Sequence, residues 1–193
     1  GKSTTMKMIT GFMAPTSGKV TVFGHDATEQ PLKARELIGY LPEGAPSYGD
    51  MTPRQFLNFI GQIRGFRGAD LNARVQRVEA ALQLSAVFDQ SIETLSKGFK
   101  RRVGLAQAII HDPKVLILDE PTEGIQPSII KDIGHAIRYL KDTSGMAILL
   151  VEQYLDFCRE LADRVYIMDR GGNGQGGEAA DLDRPEVRKH LMF

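Results

Sequence analysis

Residues Leu95 to Thr122, LSKGFKRRVGLAQAIIHDPKVLILDEPT, constrain this chain more than any other stretch. A Ser96-Lys97-Gly98 turn opens a helix predicted over about 100–111, with Leu105, Ala106 and Ile109 on its small apolar face. Asp112-Pro113 breaks that helix. Val115-Leu116-Ile117-Leu118 follows, an apolar run bounded by turn signals, which reads as a strand buried on both faces. The run ends in Asp119-Glu120, at the carboxyl end where open α/β sheets place their chemistry. One carboxylate there can hold a divalent cation while its neighbour polarises a water. The Ser-Lys-Gly turn offers backbone N–H groups and a helix N-terminus to a phosphate. Each piece alone equally fits a solvated acid pair or an ordinary turn. Their order and spacing carry the specificity. Arg101 and Arg102, on the same helix, are predicted to lie on a solvated face rather than to form an anion site.

Composition narrows the classes. With 193 residues, 42% hydrophobic and 25% charged, the chain can bury one substantial core. Lys and Arg number 24 and Asp and Glu 24, so the formal charge is zero and no nucleic-acid partner is expected. The single cysteine, Cys158, rules out an internal disulfide framework and fits a reducing compartment, packed within a helix. No apolar run is long enough to span a bilayer, so any membrane contact is expected through a partner.

The opening residues, Gly1-Lys2-Ser3-Thr4-Thr5, match the last three places of the phosphate-loop pattern G-x-x-x-x-G-K-[ST] and the helix that follows it. Gly1 to Thr4 would cradle phosphates, Lys2 would reach the β- and γ-phosphates, and Ser3 would bind magnesium. The helix over about 2–10 would aim its positive end at the same charge. Because the chain starts inside this pattern, we expect a fragment lacking the upstream part of the loop and the strand that feeds it.

Further along, alternation over 19–23 predicts a strand closed by Gly24-His25-Asp26, with His25 in solvent. A short helix is expected over 32–37 and a strand over 38–41, ending at Pro42-Glu43-Gly44. Thr52-Pro53 signals a helix start. Phe56, Phe59, Ile60 and Ile63, then Val75, Val78, Ala81 and Leu82, are spaced as core stripes of two helices. Pro127 starts a helix with Ile129, Ile130, Ile133 and Ile137 on one side. Residues 146–151 read as a second fully apolar strand ending in Glu152-Gln153, followed by a helix over 154–162 and a strand over 165–168. Gly171 to Gly177, GGNGQGG, is expected to be a flexible loop. Asp183-Arg184-Pro185 is expected to start a terminal helix running to about residue 191.

LSKGF and VLILDEPT resemble the signature motif and the Walker B strand of ATP-binding cassette (ABC) ATPases. The resemblance covers nearly the whole chain. It implies an α/β, RecA-like P-loop NTPase core with a mainly parallel sheet, formed by 1–48 and 112–193, and an inserted helical subdomain over 49–111. It implies an ATP-hydrolysing subunit, on the cytoplasmic face of the cell membrane, that drives transmembrane permease subunits. Two ATPase subunits, alike or different, would pair head to tail. ATP and Mg2+ would then lie between Gly1, Lys2, Ser3 and Thr4 of one chain and Ser96, Lys97 and Gly98 of the other. Ser3 and Asp119 would hold the metal and Glu120 would activate water. Glu43 stands where the family has a Gln that contacts magnesium, Gln126 where it has an Asp, and Gln153 where it has a γ-phosphate-gripping His. A Gln can donate a hydrogen bond there but carries no charge.

Two branches of the family are represented. Up to about Thr122, YLPEGAPSYGDMTPRQF and LSKGFKRRVGLAQAI resemble ATPases of ABC-2-type exporters. From Glu123 on, EGIQPS and LLVEQYLDF resemble importers of urea and branched-chain amino acids. The halves meet within LILDEPT, which both branches share, and this implies a mosaic made by recombination or by sequence assembly. Two alternatives stay open: an ATP-binding module with little turnover, and a soluble ABC protein without a permease.

Overall fold

The computed structural model describes residues 1–44, 48–169 and 172–183. Helix α1, Lys2–Ile9, starts directly at Gly1 and buries Met6. A minimal antiparallel hairpin follows, β1 Thr21–Val22 and β2 His25–Asp26. Its two-residue turn, Phe23-Gly24, has positive φ at both positions, the backbone that matches strand twist in tight hairpins. His25 bonds to the Gln30 side chain, and Asp26 accepts the Thr28 and Glu29 N–H groups, which fixes the exit of the hairpin. Helix α2, Pro31–Glu36, leads into β3, Ile38–Leu41.

Helix α3 spans Pro53–Ile63. Thr52 accepts the Gln55 N–H while the Gln55 side chain accepts the Thr52 N–H, so two orphan donors of the first turn are satisfied reciprocally. Its buried side differs from the predicted stripe. Phe56 and Leu57 are buried and Gly61 packs against Leu71, whereas Ile63 is 67% exposed. The helix is pressed between α4, Gly68–Ala81, and the core, so its apolar arc rotates toward Leu57 and Gly61 and leaves Ile63 in water. Val75, Val78 and Leu82 are buried as their spacing implies.

Helix α5, Lys97–Ile109, starts three residues earlier than predicted, with Ser96 as its N-cap accepting the Phe99 N–H at 3.3 Å. Strand β4, Val115–Asp119, is nearly all buried. Helix α6 spans Pro127–Ser144 and ends on Gly145 in the left-handed region. Strand β5 is Ala147–Val151 and helix α7 Leu155–Leu161, with Cys158 half-buried in it.

The sheet that positions the site has the order β3-β4-β5, all parallel, with Leu41 opposite Leu118 and Asp119 opposite Val151. The carboxyl ends of the three strands, at Leu41, Asp119 and Val151, therefore lie side by side. Helix α5 buries residues around most of its circumference, as expected of a helix packed between the sheet and helices α3 and α4. One apolar cluster runs from Phe56, Val78 and Ile92 through Leu105 to Leu116, Ile133 and Phe157. No helix among the described residues is long and apolar enough to cross a membrane.

Strand β6, Arg164–Asp169, pairs antiparallel with β7, Gly172–Glu178. This corrects the flexible loop expected from GGNGQGG. A ladder is made by backbone groups and needs no side chains. At Gly176 the bare backbone also makes room for the ring of Tyr166, which a Cβ would meet at 2.7 Å. A 3-10 turn, Ala179–Asp183, follows. The terminal helix predicted beyond Asp183 lies outside the described residues.

Candidate active site

Residues far apart in sequence converge at the strand ends. Lys2, on the first turn of α1, makes an ion pair with Glu120 across 118 positions. Gln153, just past β5, donates from Nε2 to both carboxylate oxygens of Glu120, at 3.1 and 3.3 Å. The Lys2 ammonium, and after it the Gln153 amide, holds the Glu120 carboxyl below its usual range, so it is ionised at neutral pH. Glu120 has φ of 47°, a left-handed backbone that a non-glycine residue adopts only when its surroundings enforce it. Its own N–H donates to Val151 O at 2.9 Å, which ties the turn to β5.

Asp119 is 2% exposed, and its Oδ1 has no hydrogen-bond partner. Tyr40 reaches Oδ2 at 3.4 Å, long for an O–H···O bond. Burial raises the Asp119 carboxyl, and the Glu120 and Glu43 charges add to this. Burial followed by the Asp119 charge pushes Tyr40 up to about 12, so Tyr40 is a neutral donor. An orphaned carboxylate oxygen in an acidic setting fits a site for a cation.

Among the described residues no group of three or more His, Cys, Asp or Glu is arranged to hold a metal. Magnesium does not require one, since it is usually bound by one or two carboxylates together with substrate phosphates and water. Asp119 fits that role, with the exposed Ser3 on α1 as second candidate. Glu43 stands beside Glu123, and their hydrogen bond, followed by mutual repulsion, raises the Glu123 carboxyl. Gly1 and Thr4 are exposed on the first turn of α1, and Gly1 O accepts both the N–H and the hydroxyl of Thr5.

Ser96, Lys97 and Gly98 make other contacts. Lys97 Nζ donates to Gly124 O at 3.0 Å, Ser96 caps its own helix, and Gly98 packs against Ile129. Among the described residues no hydrogen bond or ion pair joins Ser96, Lys97 or Gly98 to Lys2 or Ser3.

Sequence reasoning missed two supports of the site. Arg101 is only 8% exposed, not solvated. It donates from Nε to Pro121 O at 3.0 Å, from Nη2 to Glu120 O at 2.9 Å and from Nη1 to Pro42 O at 3.2 Å. Its spacing to Leu105 and Ala108, four and seven residues on, places it on a buried face and is the signal that could have found it. Arg102 is also largely covered, pairing with Asp132 at 3.5 Å and reaching Leu82 O. Both arginines lie inward because α5 is packed on nearly all sides. The second support is Glu152. One carboxylate oxygen accepts the N–H and hydroxyl of Thr122, and the other accepts the N–H groups of Gln153 and Tyr154. It clamps the turn after β4 to the turn after β5, and so holds Gln153 against Glu120.

A family profile described as ABC transporter matches residues 1–123, more than half of the chain. The chain belongs to the ABC transporter family. It is 34% identical over 182 residues to the probable multidrug ABC transporter ATP-binding protein YbhF of Escherichia coli, covering 94% of this chain and 31% of that protein. The linearmycin resistance ATP-binding protein LnrL of Bacillus subtilis is also 34% identical over 182 residues, with 94% and 58% covered. This ABC domain thus spans from about a third to three-fifths of these relatives. Alignments of 182 residues run well past Glu123, so similarity to exporter-type proteins is not confined to the first half. Among solved structures, cbiO1 of Clostridium perfringens, part of the ABC transporter complex cbiONQ, superposes with a TM-score of 0.86 at 25% identity, covering 98% of this chain and 78% of that one. An ATP-binding subunit of an ABC transporter gives 0.82 at 26% identity, with 99% and 83% covered. These matches bear out the α/β P-loop NTPase fold.

Proposed function

We propose that this chain is the ATP-binding and ATP-hydrolysing domain of an ABC transporter subunit that powers transport through transmembrane permease subunits. The observation that carries the reading is the meeting of Lys2 with Glu120 at the carboxyl ends of β4 and β5. A phosphate-binding cation and an ionised carboxylate are thereby placed around one point, as general-base attack of water on a phosphoryl group requires.

In this reading Gly1, Lys2, Ser3 and Thr4 receive the phosphates, and the positive end of α1 adds to the attraction. Asp119 and Ser3 would hold Mg2+, with Glu43 as a further candidate ligand. The ion, when bound, offsets phosphate charge. Lys2 exchanges its bond to Glu120 for one to a phosphate oxygen, and the released carboxylate orients and deprotonates water. Gln153 keeps that carboxylate turned toward the site. Residues 49–111 act as the helical subdomain. Among the described residues Ser96, Lys97 and Gly98 make no hydrogen bond or ion pair with Lys2 or Ser3 of their own chain, which supports a head-to-tail pair with a second ATPase subunit whose signature residues complete the site. The protein would then work on the cytoplasmic face of a membrane, with no nucleic-acid partner.

The neutral Gln153 favours a second reading, a nucleotide-binding module with slow turnover. Steady-state ATP hydrolysis by the purified protein separates the two. Glu120→Gln is expected to lower kcat by about 10²–10⁴-fold, with nucleotide binding retained. Lys2→Ala is expected to lose binding. Turnover that is unmeasurable in wild type and unchanged by Glu120→Gln would establish the binding module.

A further inference from the structure

Arg101 is a buried cation with an unusual set of partners. It makes three hydrogen bonds, all to backbone carbonyls, and among the described residues no carboxylate lies within ion-pair distance. Burial works against its charge, and Glu123, Glu152, Glu43 and Asp119 attract it only from beyond ion-pair distance, so an apolar side chain would serve simple packing better. The carbonyls it chooses belong to two strand ends. Glu120 and Pro121 follow β4, and Pro42 follows β3 and precedes Glu43.

Glu120 is the residue with the left-handed backbone, and its N–H is already tied to Val151. Arg101 secures the opposite end of the same residue, its carbonyl. With both ends fixed, the strained conformation is held and the carboxylate is aimed at Lys2 and Gln153. We propose that Arg101 is a positioning residue for Glu120, setting the left-handed turn that aims its carboxylate and coupling that turn to the Pro42-Glu43 segment. The assignment rests on the hydrolytic reading of Glu120. It gives a helix of the signature region direct mechanical access to the hydrolytic turn, by a planar fork that a lysine cannot reproduce.

The test compares Arg101→Met and Arg101→Lys with wild type in the purified protein, and repeats each substitution on a Glu120→Gln background. Readouts are kcat and KM for ATP, with urea midpoints measured alongside. We expect Arg101→Met to lower kcat by about 10²-fold with KM within about threefold, since misplacing a reacting group affects the transition state and not ground-state binding. Arg101→Lys should be intermediate, because it keeps the charge but loses the fork. On the Glu120→Gln background neither should lower the residual rate by more than about twofold, as residues acting through one another are non-additive. Equal rate losses on both backgrounds, or wild-type kcat in both single variants, would overturn the proposal. Should Arg101→Met fail to fold, Arg101→Lys alone carries the comparison. Wild-type turnover by Glu120→Gln itself would overturn the hydrolytic reading, and this assignment with it.

Discussion

Gly39, in the middle of β3, faces the backbone of α5. A Cβ added there would overlap the carbonyl oxygen of Ala108 and lie 3.2 Å from its carbonyl carbon and 3.0 Å from Pro113 Cγ. The obstacle is helix backbone, not the free end of a side chain. Neither partner can retreat easily. Strand β3 is held by its parallel register with β4, Gly39 opposite Leu116, and Ala108 sits in a helix buried around most of its circumference. Overpacking typically costs about 1–3 kcal/mol, and a backbone obstacle puts Gly39→Ala at the upper end, about 3 kcal/mol. For a domain of this size that lowers Tm by roughly 6–12 °C. Urea denaturation should show a lower midpoint at unchanged slope, because the surface exposed on unfolding is the same. Gly134→Ala is the control. Its Cβ would meet only the ring edge of Phe157, at 3.2 Å, and Ala gains about 1 kcal/mol of helix propensity over Gly, so a net change under about 1 kcal/mol is expected. If Gly39→Ala unfolds within about 0.5 kcal/mol of wild type, the close strand–helix approach is not what holds β3 in place.

Three further outcomes are expected. At Gly98 a Cβ would overlap Ile129 Cγ2, so Gly98→Ala should destabilise, and Ile129→Ala should relieve part of the loss in a double-mutant cycle of urea midpoints. Thr122→Val keeps the shape but removes the hydroxyl that donates to Glu152, leaving that carboxylate one partner short, with an expected loss of about 1–3 kcal/mol; Thr122→Ser should restore most of it. Burial, and then the Arg64 charge, lowers His111 to about 4, with Nε2 donating to Ile38 O at 3.1 Å and Nδ1 buried without a partner. A depressed folded-state pKa means that the unfolded chain binds the proton first. The stabilising contribution is therefore present above about pH 6.5 and is lost as pH falls toward about 4, and His111→Gln should flatten that part of the stability–pH curve.

Much of the architecture was legible because it follows from local rules. The apolar run before Asp119-Glu120 read as a buried strand and Thr52-Pro53 as a helix start, and both are found. Gly1-Lys2-Ser3 and Asp119-Glu120 were marked as candidates by residue type and order, and of these Lys2 and Glu120 do meet. What failed did so for identifiable reasons. GGNGQGG offers no side-chain periodicity, and its strand exists only because β6 lies alongside. The charge of Arg101 points to a solvated face and only its helical spacing points inward, while its buried bonds go to carbonyls that no sequence pattern marks. Ile63 sat on the expected stripe, but the direction of the core was set by α4 and not by α3 itself.

By itself the sequence determined most of the elements, β7 excepted, since backbone dihedrals, caps and hydrophobic spacing act over a few residues. It also determined which acids and cations were available. The tertiary structure decided their pairing: Lys2 on Glu120, Glu152 across two turns, Arg101 beneath the strained turn, and Gly39 against Ala108. Those contacts join residues tens of positions apart, and their strength comes from exclusion of water and from directions that exist only once the sheet and α5 have packed.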